Sequence, residues 1–113
     1  MLDKRKFYIN GKWVDPIKPN DLNVINPSTE ETCAVISLGS KEDTNLAVSV
    51  AKVAFETWKD SSKDDRINLL EKLLTIYKKR YREMVDAIST EMGAPIDWST
   101  DVQTASGQSH LED

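Results

Sequence analysis

The sequence predicts an α/β chain in which short β-hairpins come first and helices follow. Three observations carry this. Asn10-Gly11 lies between Phe7-Tyr8-Ile9 and Lys12-Trp13-Val14, and that dipeptide tolerates the positive φ angles of a tight hairpin turn. Asn26-Pro27-Ser28-Thr29-Glu30-Glu31, rich in turn residues, joins a second pair of runs, Leu22 to Ile25 and Cys33 to Leu38. After Gly39-Ser40 the apolar residues change to helical spacing. Strands are therefore expected within about residues 6–38, and helices at about 41–59, 63–92 and 98–113.

Each element has its own justification. Asp15-Pro16 and Pro19-Asn20-Asp21 break the first hairpin from the second. Ser40 and Asp43 form a capping-box pair that opens the first helix. Along that helix Ala47, Val50, Ala51, Ala54 and Trp58 share one stripe, widened by Leu46 and Val53. Its small alanines allow close approach to a neighbour, expected to be the next helix across the short link Asp60-Ser61.

The stretch from Ser62 to Pro95 carries the strongest helical pattern. Ile67, Leu70, Leu74, Tyr77, Tyr81, Met84 and Ile88 alternate at steps of three and four, which predicts one helix of about eight turns. Ser62 with Asp65 caps its start; Gly93 can close it in the left-handed conformation, and Pro95 forbids continuation. Leu69, Leu73, Ile76 and Val85 broaden the stripe beyond a coiled-coil seam, so more than one neighbour should cover it. After Pro95, Asp97 is a candidate cap, and Val102, Ala105 and Leu111 give a weaker helical trace interrupted by Gly107. The chain reaches Asp113 with no stop signal and reads as cut rather than finished.

Bulk properties exclude several function classes. At 113 residues, with 30 % charged and 39 % hydrophobic residues, the expectation is one globular domain or a portion of one. A net charge of −4 asks for no nucleic acid, and the run Lys78, Lys79, Arg80, Arg82 reads as a solvated helix face. No apolar run approaches the roughly 20 residues that cross a bilayer. The charged N-terminus has no signal-peptide core. A single cysteine, Cys33, forms no internal disulfide, so the cytoplasm is the expected compartment.

Reactive constellations are scarce. Cys33 sits in a strand-like run, with no cation nearby in sequence to activate it. His110 is the only histidine and has no companion for a zinc site. Glu91 at a helix end reads as solvated. The glycines, at 11, 39, 93 and 107, fit neither a dinucleotide fingerprint nor a P-loop. No catalytic and no cofactor-binding residue is assigned.

Three segments in order, FYINGKWV, VINPSTEETCAVI and EDTNLAVSVAKVAFETWKDSSKDDRINLLEKL leading to EMGAP, resemble the N-terminal part of the NAD(P)-dependent aldehyde dehydrogenases. The turn at Asn26-Pro27-Ser28-Thr29-Glu30 is similar to their Asn-Pro-(Ala/Ser)-Thr-Gly-Glu, with Glu31 departing slightly. Asp43, Ala47, Val48, Ala51, Ala54, Phe55 and Trp58 match their first helix, and Arg66 with Leu70 the start of the second. Glu91, Gly93 and Pro95 match their Glu-x-Gly-Lys-Pro helix end, with Ala94 in place of lysine.

The resemblance implies the outer part of a Rossmann-like cofactor-binding domain. Complete members oxidise an aldehyde through a cysteine thiohemiacetal with NAD or NADP, using a glutamate base. Those catalytic and cofactor residues lie farther along the family's chain than Asp113, and Cys33 is not the catalytic cysteine. Residues 1–113 are thus expected to be an incomplete domain that binds no cofactor alone, and whose partner is the remainder of its own fold or subunit. A homo-oligomer acting on an aldehyde, with neither nucleic acid nor membrane, is implied. So is a structural potassium or sodium ion held by Val24, Ile25 and Asp101. The alternative is a non-catalytic helical module binding a protein partner through the apolar face of residues 63–92.

Overall fold

The computed structural model describes residues 1–113, which divide into two compact units. One combines Met1–Ile25 with Thr32–Ser61; the other combines Asn26–Glu31 with Ser62–Asp113. This is the expected α/β order, strands first and helices after.

The first unit holds the strands β1 (Leu2–Lys4), β2 (Phe7–Ile9), β3 (Lys12–Val14), β4 (Asp21–Asn26) and β5 (Glu31–Ser37), the last two reaching into the Asn26–Glu31 turn. β2 and β3 form the Asn10-Gly11 hairpin, registered Phe7↔Val14, Tyr8↔Trp13 and Ile9↔Lys12. Asn10 and Gly11 take φ values of 54° and 72°, the pair of positive angles that turn needs. The other sheet runs β1-β5-β4. β5 is central, and this accounts for the burial of Ala34, Val35 and Ser37.

β1 has no counterpart in the sequence reading. It pairs in parallel with β5, Leu2 opposite Ala34 and Lys4 opposite Ile36. A three-residue charged segment shows no alternation of its own; its partner some thirty positions away makes it a strand. Arg5 secures it, reaching Asp3 at 2.7 Å and Asp21 at 3.2 Å. Helix α1 (Lys41–Trp58) closes the unit, opened by the Ser40–Asp43 capping box.

In the second unit, the single helix expected over 63–92 is two: α2 (Lys63–Lys79) and α3 (Tyr81–Met92), bent at Arg80 with φ −101° and ψ 16°. Arginine is a good helix former, so nothing local announces the bend. The residues on either side of it, Tyr77 and Tyr81, both reach across to the C-terminal segment. The Ser62–Asp65 capping box and the left-handed Gly93 (φ 66°) stand where the sequence put them.

The helix expected from 98 begins earlier, as α4 (Ile96–Trp98), with Pro95 and not Asp97 at the cap position. It widens into a π-helical turn (Ser99–Gln103) before α5 (Thr104–Glu112). Gly107 interrupts nothing. It lies inside α5, where a Cβ would come within 2.5 Å of the Tyr77 hydroxyl. Its bare backbone is the seat of that ring.

The departure from the family's turn pattern falls at Glu30 rather than Glu31. The pattern's glycine is its fifth residue, and Glu30 occupies that place with φ 60°. No helix is long and apolar enough to cross a membrane.

Candidate functional site

The buried charged group of the first unit is Asp43, only 5 % exposed. Its Oδ1 accepts the Ile17 N–H at 2.9 Å; its Oδ2 accepts the Ser40 N–H at 2.9 Å and the Ser40 hydroxyl at 2.7 Å. The Ile17 N–H above all, then the Ser40 side chain and backbone, hold this carboxyl below the usual range. A carboxylate so occupied is a strut between the loop after β3 and the start of α1. The capping pattern announced Asp43; the bond to Ile17 had no sequence signal. Beside it, Lys6, Phe7, Tyr8, Ile9, Gly39, Thr44 and Ala47 line an open hollow of about 450 Å³.

In the second unit the organising feature is a pair of tyrosines. Tyr77 donates its hydroxyl to the Thr104 carbonyl at 2.9 Å, and Tyr81 donates to the Thr100 carbonyl at 2.5 Å. Their rings meet edge to face at 6.2 Å. The π-turn explains the second bond. The Thr104 N–H goes to the Ser99 carbonyl, five residues back, so Thr100 loses its α-helical donor and takes the Tyr81 hydroxyl instead. Burial, then the neighbouring Tyr81, raises the Tyr77 pKa.

The residues singled out from sequence are placed as follows. Val24 and Ile25 are consecutive on β4, and Asp101 lies exposed in the π-turn of the other unit. The Val24 carbonyl accepts the Cys33 thiol at 3.3 Å, so this half-buried cysteine bridges neighbouring strands. His110 and Glu91 are exposed near helix ends. No three His, Cys, Asp or Glu side chains converge as metal ligands. The basic run is largely paired: Lys78 with Glu112, Arg80 with Glu83, Arg82 with Asp86.

A dinucleotide would need a bare backbone cradle. Gly11 makes the hairpin turn, and a Cβ on Gly39 would stand 3.9 Å from the Phe7 ring. Gly93 lies against Ser28, and Gly107 against Tyr77. All four glycines are thus accounted for within the chain, and the residues present do not fit a phosphate-binding loop.

The aldehyde dehydrogenase family model matches residues 13–112. The chain belongs to the aldehyde dehydrogenase family. A 3-succinoylsemialdehyde-pyridine dehydrogenase of Pseudomonas sp. is 41 % identical over 98 % of this chain and 24 % of its own length. The crystal structure of an aldehyde dehydrogenase from Bartonella henselae superposes with a TM-score of 0.98 at 58 % identity, over 99 % of this chain and 24 % of that one. Aldehyde dehydrogenase C from Pseudomonas syringae, a mutant complexed with NAD+ and octanal, matches at TM-score 0.93 and 35 % identity, over 96 % and 22 %. The chain thus spans about a quarter of the length of these aldehyde dehydrogenases.

Proposed function

We propose that this chain is the N-terminal portion of an aldehyde dehydrogenase, an outer wall of its cofactor-binding domain. The whole enzyme would oxidise an aldehyde to a carboxylic acid with NAD or NADP. The observation that carries this reading is the uncovered apolar face of α2. Leu69, Leu73 and Ile76 remain 52 %, 48 % and 52 % exposed, whereas a finished fold buries such a face. Bound NAD or NADP would accept the hydride; this chain's own residues hold the sheet, the turn at Ser28 and the helical wall.

By itself the chain is read as catalytically silent and without cofactor. Incubating it with an aldehyde and NAD+ or NADP+ is expected to give no reduced nicotinamide. Production that disappears with Cys33→Ser overturns the reading. The assembled enzyme is read as a cytoplasmic homo-oligomer with neither nucleic acid nor membrane as partner.

Within the same reading, carbonyls of Val24 and Ile25 and the Asp101 carboxylate hold a potassium or sodium ion. Oxygen donors suit a hard cation. The melting temperature should rise in potassium or sodium relative to choline, and Asp101→Asn should remove the gain. An equal melting temperature in all three salts sinks the ion.

The same exposed face of α2 also suits a non-catalytic module that binds a protein partner. Reading the gene past the Asp113 codon separates the two. A continuing frame with a glycine-containing cofactor turn and a later cysteine favours the enzyme; a stop codon favours the module.

A further inference from the structure

We infer that Asn10 is a site of spontaneous deamidation, and that opening of the β2–β3 hairpin sets its rate. The reaction needs water and no enzyme. The Gly11 nitrogen gives up its proton to solvent and bonds to Cγ of Asn10. The Cγ–Nδ2 bond breaks, Nδ2 takes a proton, and ammonia leaves behind a cyclic imide. Water then hydrolyses the imide at either of its two carbonyls. One opening gives aspartate; the other gives isoaspartate, in which the main chain runs through the side-chain carbon. In sum, one water is consumed and one ammonia released.

Sequence and geometry single out this position. Of the six asparagines, only Asn10 precedes a glycine. Asn10 and Gly11 are both exposed, and a Cβ on Gly11 would meet nothing within 4 Å. No turn carbonyl holds the Gly11 N–H. The attacking nitrogen is therefore uncrowded and free to lose its proton. Asn26 precedes Pro27, which has no N–H to attack with. Asn45 and Asn68 precede leucines inside α1 and α2, where the helix holds the N–H and the side chain crowds it. Asn20 and Asn23 precede Asp21 and Val24, whose side chains crowd the nitrogen in the same way.

The closed turn is a gate. Its two central residues have φ of 54° and 72°. A turn of that type holds its first ψ near about +30°, which turns the Gly11 nitrogen away from the Asn10 side chain. Ring closure needs rotation about the Asn10 Cα–C bond, and that rotation breaks the pairing. Such opening is easy here, because β2 and β3 form a two-stranded sheet by themselves. Across it Tyr8 meets Trp13 with ring centroids 5.2 Å apart, a contact that holds the gate shut. Isoaspartate adds one main-chain atom to a two-residue turn, so the Tyr8↔Trp13 register is lost for good once the reaction has run.

The test holds the intact 113-residue chain at neutral pH over days and samples it by tryptic mass spectrometry. Trypsin cuts after Lys6 and Lys12, so Asn10 is the only asparagine of the peptide 7–12. That peptide should gain about 1 Da and resolve by chromatography into two isomers, isoaspartate in excess. The peptides 42–52 and 67–72, which carry Asn45 and Asn68, should stay unchanged. Trp13→Ala removes the ring pair and should speed the conversion several-fold. Gly11→Ala crowds the nitrogen and should slow it several-fold, in buffer and also in urea, where loss of the hairpin plays no part. Absence of conversion in 7–12, or equal conversion at Asn45 and Asn68, overturns the site. An unchanged rate in Trp13→Ala overturns the gate.

Discussion

Gly93 lies so close to Ser28 that a Cβ on it would stand 2.7 Å from the Ser28 backbone nitrogen and 3.1 Å from Asn26 Oδ1. The end of α3 is thus packed onto the Asn-Pro turn, and that turn belongs to the helical unit rather than to the strands it connects. Two demands meet at one residue: a φ of 66° and an absent side chain. Gly93→Ala should cost about 3 kcal/mol, the sum of left-handed strain and a clash with unyielding backbone. Urea unfolding measures it; a loss below about 1 kcal/mol would mean the turn simply moves away.

Glu30 presents the opposite case. It holds φ 60° with a side chain that disfavours it, while its N–H donates to the Asn26 carbonyl at 2.8 Å. Glu30→Gly should stabilise the chain by about 1 kcal/mol, because relief of left-handed strain outweighs the added entropy of the unfolded glycine. A lower unfolding midpoint for the glycine variant contradicts this.

The tyrosine pair should not be symmetric. Tyr81→Phe strands the Thr100 carbonyl, whose helical donor the π-turn has already diverted to Ser99. Tyr77→Phe leaves the Thr104 carbonyl inside α5, where the helix still serves it. We expect about 2–3 kcal/mol for the first and about 1 kcal/mol for the second. Equal losses in matched denaturation curves would remove the π-turn from the explanation.

Gly107→Ala tests the seat of Tyr77. Helix propensity alone would make alanine stabilising by about 1 kcal/mol. The clash with the Tyr77 hydroxyl should reverse that sign, and Tyr77→Phe should restore part of the gain by removing the clashing atom. A double-mutant cycle with no coupling would dissociate the two residues.

Asp43 sets a pH dependence. Its folded pKa lies below the usual Asp value of 3.8, first because of the Ile17 N–H and then because of Ser40. A depressed carboxyl contributes stability that is fully present above its unfolded value and is lost as pH falls through the folded one. Asp43→Asn should therefore lower the melting temperature at pH 7, and the gap from wild type should shrink below about pH 4. A gap that widens in acid would reverse the assignment.

What the sequence made legible was local. Asn10-Gly11, the two capping boxes and Gly93 each satisfy a backbone need within four residues, so their chemistry is written where it acts. The likeness to the aldehyde dehydrogenases rests on the same short signatures. β1 stayed hidden because only a distant parallel partner makes it a strand. The Arg80 bend, the π-turn and the role of Gly107 arise where Tyr77 and Tyr81 meet a segment far along the chain. The site fared likewise. The capping role of Asp43 was visible and its hold on Ile17 was not, while Val24, Ile25 and Asp101 came from family resemblance and from no pattern in the residues themselves.

The Asn26–Glu31 turn has a practical corollary for anyone dissecting this molecule. The polypeptide passes from one unit to the other at residues 25–26, 31–32 and 61–62. No single scission can therefore liberate either half intact. Expressing the helices alone from Ser62 would leave Gly93 without its abutment, and expressing the strands alone would leave their hairpin tip unmoored.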